Sequence, residues 1–206
     1  LVRRHGVTHT YSPMVKADRL VGGASEERRI LEDTCAEDRP LALQLCGRDP
    51  AVLAKAVRHA LDSRGHCLDA IDFNLGCPQR CAEQGGWGSY LEREPELAAA
   101  CVAAMAAAAA PTPVWCKIRI GASSAATLAF ALRLQEAGCS LLAVHCRPRP
   151  TDRDEFHDTE PDYSQLADLV RGLRIPIVAN GGICTAGQAA AIVESTGVRG
   201  VMAATP

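Results

Sequence analysis

Short apolar, β-rich runs recur along the chain, separated by stretches whose apolar residues fall at helical spacing. The runs cover residues 8–11, 41–45, 70–74, 114–120, 141–145, 175–179 and 200–202. Between them, segments such as 50–64 and 123–137 carry the three-to-four-residue period of an amphipathic helix. In the first of these Asp49 suits the cap and Pro50 the first turn. Residues 97–110 are rich in alanine, the best helix former, and Pro111 and Pro113 end that helix before the next strand. Strands apolar throughout and alternating with helices predict a parallel sheet covered on both faces. Seven such strands at roughly thirty-residue spacing favour an α/β TIM (β/α)8 barrel over an open sheet. No Gly-x-Gly-x-x-Gly follows a strand, which argues against a Rossmann domain. The chain reads as starting inside the first helix of that barrel and stopping just after its last strand. It is therefore expected to be one barrel domain, residues 1–206, cut at both ends.

Composition narrows the class. A chain of 206 residues with 48% hydrophobic, 22% charged and 4% aromatic residues reads as one soluble domain with small side chains inside. The net charge of −2 gives no global attraction to nucleic acid or membrane. Ten cysteines lie scattered through the elements without a Cys-x-x-Cys pair, which suits reduced thiols in a cytoplasmic or nuclear protein rather than a disulfide framework. Cys77 and Cys81 could form half a metal site, but nothing in the sequence completes it, and no metal is expected. No apolar run approaches the ~20 residues of a membrane span.

The most informative stretch is Asp72-Phe73-Asn74-Leu75-Gly76-Cys77-Pro78, followed by Gln79-Arg80-Cys81-Ala82-Glu83-Gln84-Gly85-Gly86-Trp87-Gly88. An apolar strand ends in an amide, a glycine and a thiol. Pro78 then pushes Cys77 toward extended angles, and a glycine-rich loop follows. This places a thiol on an ordered turn, where it could serve as nucleophile or metal ligand, or merely pack. In a barrel the reacting groups sit at the carboxyl ends of strands. Those ends supply Gln44, Asn74 and Cys77, Lys117 and Arg119, His145 and Arg147, and Asn180-Gly181-Gly182-Ile183. Each is weak evidence alone; their shared position points to one pocket. The glycine turn at Gly181 and Gly182, before a helix, suits a phosphate.

These residues carry a resemblance. Tyr11-Ser12-Pro13-Met14, Gln44-Leu45-Cys46-Gly47, Asn74-Leu75-Gly76-Cys77-Pro78 with its glycine loop, Lys117-Ile118-Arg119, Val144-His145-Cys146-Arg147 and Asn180-Gly181-Gly182-Ile183 together resemble the tRNA-dihydrouridine synthases, most closely the eukaryotic 16/17 type. The resemblance implies an FMN barrel that reduces the C5–C6 bond of uridine in tRNA, with NADPH recharging the flavin. It implies that Cys77 gives the proton to C5, that Asn74 meets the uracil edge, and that Arg119 and Arg147 meet uracil or backbone phosphate. Gln44 and Lys117 would hold the flavin ring, His145 would contact the cofactor near the substrate, and Asn180, Gly181 and Gly182 would cradle the phosphate. Such a protein would be a monomer with tRNA as its partner. Against the family pattern the chain is expected to lack the barrel's first strand and the C-terminal helical domain that recruits tRNA. It also departs at Ala204-Thr205, where a second phosphate contact is expected, and at His145-Cys146-Arg147-Pro148-Arg149-Pro150. A flavin barrel acting on free pyrimidines, an inactive or RNA-binding fragment, and a phosphate-binding barrel of another class are the competing expectations.

Overall fold

The computed structural model describes residues 2–150 and 159–204. Eight strands form one parallel sheet: β1 (Thr10–Tyr11), β2 (Val15–Lys16), β3 (Leu41–Cys46), β4 (Ala70–Leu75), β5 (Val114–Arg119), β6 (Cys139–His145), β7 (Ile177–Asn180) and β8 (Gly200–Met202). Their order is β1-β3-β4-β5-β6-β7-β8, with β2 also on β3. From β3 onward each strand lies beside its successor, the arrangement of a curled (β/α) barrel wall, with helices between strands. Among the described residues β8 does not pair with β1 or β2.

The expected first strand, 8–11, is in fact two short pieces laid end to end along β3. Thr10 pairs with Leu41 but Val15 pairs with Leu45, so the offset changes by one residue between them. Pro13, which has no N–H to give to a ladder, lies in that gap. The other strands sit within one or two residues of their expected places. β7 starts after Pro176 rather than at Ile175.

The helices are α1 (Ala17–Val21), α2 (Ser25–Glu32), α3 (Pro50–Arg64), α4 (Arg80–Gly85), α5 (Pro95–Ala109), α6 (Ser124–Glu136), α7 (Leu166–Gly172) and α8 (Ala186–Thr196). Asp49 caps α3 by accepting from the amides of Ala51 and Val52, with Pro50 in the first turn as the sequence predicts. The alanine-rich α5 buries Ala98, Cys101, Val102, Met105 and Ala109, one stripe at helical spacing, and packs against α3. No helix of the described residues is long and apolar enough to cross a membrane.

The two faces of the sheet differ, and this positions the site. Leu43, Leu45, Ile71, Phe73, Cys116, Ile118, Leu142, Val144 and Ala179 alternate along the strands and are buried with the helices in one core. The opposite face is not apolar throughout, contrary to expectation. Register pairs place Gln44 beside Asp72, Asn74 beside Lys117, Arg119 beside His145, and His145 beside Asn180. Toward the amino ends of the strands this face is filled by a small separate cluster of Ala42, Ala70 and Trp115, with Tyr11 and Leu141 against it. That cluster is a floor; the polar groups stand above it, at the carboxyl ends.

Candidate active site

The turn that carries Cys77 is held by almost every polar group within reach. Asn74 Oδ1 accepts from the amides of Gly76 (3.1 Å) and Cys77 (2.9 Å). The Cys77 carbonyl accepts from the Ser89 amide (3.0 Å) and the Ser89 hydroxyl (3.1 Å). Tyr90 Oη donates to the Pro78 carbonyl (3.2 Å), and Arg119 Nε donates to the Gly76 carbonyl (2.8 Å). The stretch expected as a glycine-rich loop is instead the short α4, a left-handed Gly86 at its end, and a 3-10 segment, Gly88–Arg93. Gly88 has φ +66°, and a Cβ there would lie 2.6 Å from the Cys77 carbonyl oxygen. Gly88→Ala is therefore expected to cost about 1–3 kcal/mol of stability, read as a lower urea midpoint at unchanged m-value.

Burial raises the Cys77 thiol above its ordinary range, only partly opposed by the backbone bond at Gln79 and by Arg119 and Lys117. The thiol is thus protonated at neutral pH. All ten cysteines are free.

Four more charged or titratable groups line the same face. Lys117 is lowered to about 8 by burial, against the pull of Asp72. Arg119 is lowered to about 10, mainly by burial. His145 is lowered to about 3 by burial and by the cations Arg119, Lys117 and Arg147, so its imidazole is neutral. Asp72 is fully buried and raised to about 6 by desolvation, with Gln44 and Lys117 opposing the rise. Three cations against one carboxylate leave this face positive. Among the described residues Asp72 Oδ1 is buried without a hydrogen-bond partner.

Two expected residues have different surroundings from those the sequence suggested. Asn74 is expected to meet the uracil edge, but its Oδ1 is used twice in the turn and its Nδ2 donates to Gln44 Oε1 (2.8 Å). One N–H remains. Asn180 was expected in a phosphate cradle, but its Nδ2 donates to the Met202 carbonyl (2.9 Å) and ties β7 to β8.

The glycine turn after β7 does have the shape of a cradle. Gly181 (φ +109°) and Gly182 (φ +67°) both adopt angles that favour glycine. A Cβ at Gly181 would meet His145 Cδ2 at 2.8 Å, and one at Gly182 would meet Pro161 Cγ at 2.5 Å. Arg147 comes to this turn, with Nη1 3.5 Å from His145 Nε2, rather than joining Arg119 beside Cys77. The Ala204-Thr205 pair cannot be followed, because Thr205 lies outside the described residues.

Sequence reading gave no role to Asp72, nor to the groups at the rim. Lys16 Nζ sits 5.9 Å from the Trp87 ring centre, and Arg149 lies 4.8 Å over Tyr90. A signal for Asp72 existed: it stands two residues before Asn74 in an otherwise apolar strand, hence on the same face.

The family model described as Dihydrouridine synthase (Dus) matches residues 1–205. A Rattus norvegicus protein named tRNA-dihydrouridine(16/17) synthase-like, with NAD(P)(+) in its name, is 37% identical over 205 residues, covering 99% of this chain and 45% of that protein. The Schizosaccharomyces pombe tRNA-dihydrouridine(16/17) synthase is 37% identical over 209 residues, covering 99% and 50%. The chain thus spans about half the length of these relatives. Among solved structures, morphinone reductase in complex with tetrahydroNAD superposes with a TM-score of 0.64 at 14% identity, covering 95% of this chain and 73% of that one. Phosphonopyruvate hydrolase gives 0.65 at 13% identity, covering 98% and 69%. Likenesses this distant in sequence speak to the barrel fold alone.

Proposed function

Because this chain belongs to the dihydrouridine synthase family, we propose that it reduces the C5–C6 bond of uridine in tRNA, with FMN as its flavin and NADPH as reductant. The observation that carries this reading is the protonated Cys77 thiol, fixed on its turn beside Lys117 and Arg119, at the end of a positive sheet face. The residues fit a flavin mononucleotide. The partly buried Lys117 ammonium suits an anionic ring. The Gly181-Gly182 turn, with Arg147 against it, suits a phosphate. When bound, the reduced flavin supplies the hydride.

The chain's own residues do the rest. Cys77 gives its proton to C5 of the uracil, a general-acid step for which a thiol protonated at neutral pH is suited. Neutral His145 offers a hydrogen bond without adding charge, since burial and three nearby cations keep it unprotonated. Arg119, tied to the Gly76 and Pro148 carbonyls, holds the turn and adds positive potential beside Cys77. Gln44 and Asn74 each keep one amide N–H for a ligand.

The reading is tested by supplying the protein with FMN and NADPH and offering either unmodified tRNA or free uracil. Mass spectrometry should find dihydrouridine in the tRNA and no dihydrouracil from the free base. Reduction of the free base alone would favour the pyrimidine reading and overturn this one.

A further inference from the structure

Three side chains form a hydrogen-bonded chain across β3 and β4 that ends on the Cys77 turn. Gln44 Nε2 donates to Asp72 Oδ2 at 2.8 Å, Asn74 Nδ2 donates to Gln44 Oε1 at 2.8 Å, and Asn74 Oδ1 accepts from the Gly76 and Cys77 amides. The direction of this chain is dictated from its far end. Two backbone N–H groups need an acceptor, so Asn74 must turn its oxygen to them and its nitrogen to Gln44. Gln44 must then turn its oxygen to Asn74 and its nitrogen toward Asp72. Only an acceptor can close the sequence, and Asp72 supplies one where water is excluded.

We propose that Asp72 is the positioning residue of this site: its carboxylate polarises the Gln44–Asn74 relay, and so fixes both the turn that presents Cys77 and the hydrogen-bond character of what a ligand meets. With both amide oxygens turned inward, Gln44 and Asn74 offer only N–H groups outward. The ligand edge they receive must therefore carry acceptors, such as ring carbonyls. This last consequence rests on the flavin and uracil reading; the fixing of the Cys77 turn does not.

Asp72→Asn keeps the shape and removes the demand. Lys117 acts electrostatically on this position, so the new amide is drawn to turn its oxygen toward the ammonium and its nitrogen toward Gln44. That reverses Gln44, and Asn74 can no longer serve both the relay and the turn. Iodoacetamide labelling of Cys77, read by peptide mass spectrometry, should run about tenfold faster, the opening expected from one lost hydrogen bond. Its pH midpoint should hold, since opening multiplies the rate without moving the thiol's titration. FMN, followed by fluorescence quenching, should bind about tenfold more weakly.

The double variant Asp72→Asn/Gln44→Glu separates positioning from bulk structure. The new carboxylate accepts from both neighbours, so Asn74 regains its orientation while position 44 loses its outward N–H. Cys77 labelling should return to within about twofold of the parent, and FMN should stay weak. Parental Cys77 labelling in Asp72→Asn, or a double variant labelled no more slowly than the single, overturns the proposal. If Asp72→Asn does not fold, a folded double variant with parental labelling supports it and an unfolded one overturns it. A parent protein that fails to bind FMN would count against the flavin reading and leave the Cys77 result standing.

Discussion

Replacing Cys77 by alanine is expected to slow uridine reduction by about 10²- to 10⁴-fold, the usual worth of a positioned general acid, with NADPH consumption by the flavin-loaded protein little changed. The two parts separate because the turn is held by its backbone, not by the thiol. Asn74, Ser89, Tyr90 and Arg119 all bond to main-chain atoms of residues 76–78, so alanine leaves every one of those bonds in place. Cys77→Ser should recover little, since a hydroxyl is a far weaker acid than a thiol. The pH profile supplies a second check. As pH rises, Lys117 loses its charge first, near 8, while burial holds the thiol above its ordinary value of 9.0. Bound anionic charge would hold the Lys117 proton to higher pH, so the NADPH-driven half of the reaction should weaken above pH 8 rather than at it. The uridine half should show a further fall at higher pH that is absent in Cys77→Ala. Stopped-flow measurement of each half across pH 6–10 would show this. Undiminished uridine reduction by Cys77→Ala would remove the thiol from the chemistry.

How much of this was legible in the sequence depends on whether strand or side chain is asked about. The strand ends were legible because a parallel barrel wall makes short runs between helices, and β3 to β7 lie close to where the runs predict. Gln44, Cys77, Lys117, Arg119 and His145 then share one face because side chains alternate and strand ends align, which spacing alone conveys. Three things were not legible. The break between β1 and β2 depends on which residues find ladder partners on β3, a tertiary matter. The inward use of the Asn74 and Asn180 amides depends on which backbone groups need partners. Asp72 was passed over because a strand acid next to a conspicuous thiol motif draws no notice until its burial and its unpartnered oxygen are seen. The alternation that put Asn74 in the site placed Asp72 there as well.

Lys117→Met is expected to make the ligand-free protein more stable while weakening FMN binding. Burial lowers the Lys117 ammonium from 10.5 to about 8, so holding it charged at pH 7 costs on the order of 3 kcal/mol. Methionine fills similar volume with no charge to desolvate. The gain is partly offset, because Asp72 loses the cation that restrains its rise and then takes up a proton near neutrality. The balance is about 2 kcal/mol in favour of the variant, or roughly 4–8 °C in melting temperature for a domain of this size. The sign of the pH dependence follows from linkage. Between about 8 and 10.5 the folded wild-type sheds its Lys117 proton while the unfolded chain keeps it, so wild-type stability rises with pH through that window. The advantage of Lys117→Met should thus be largest below pH 8 and shrink toward pH 10.5. Thermal melts of both proteins from pH 6 to 10 measure it, and a variant that melts lower throughout would show that the ammonium is not a burden. A cation retained at a net cost to folding is what a site prepared for an anionic ligand requires: bound charge would relieve the cost, and the ligand-free protein bears it.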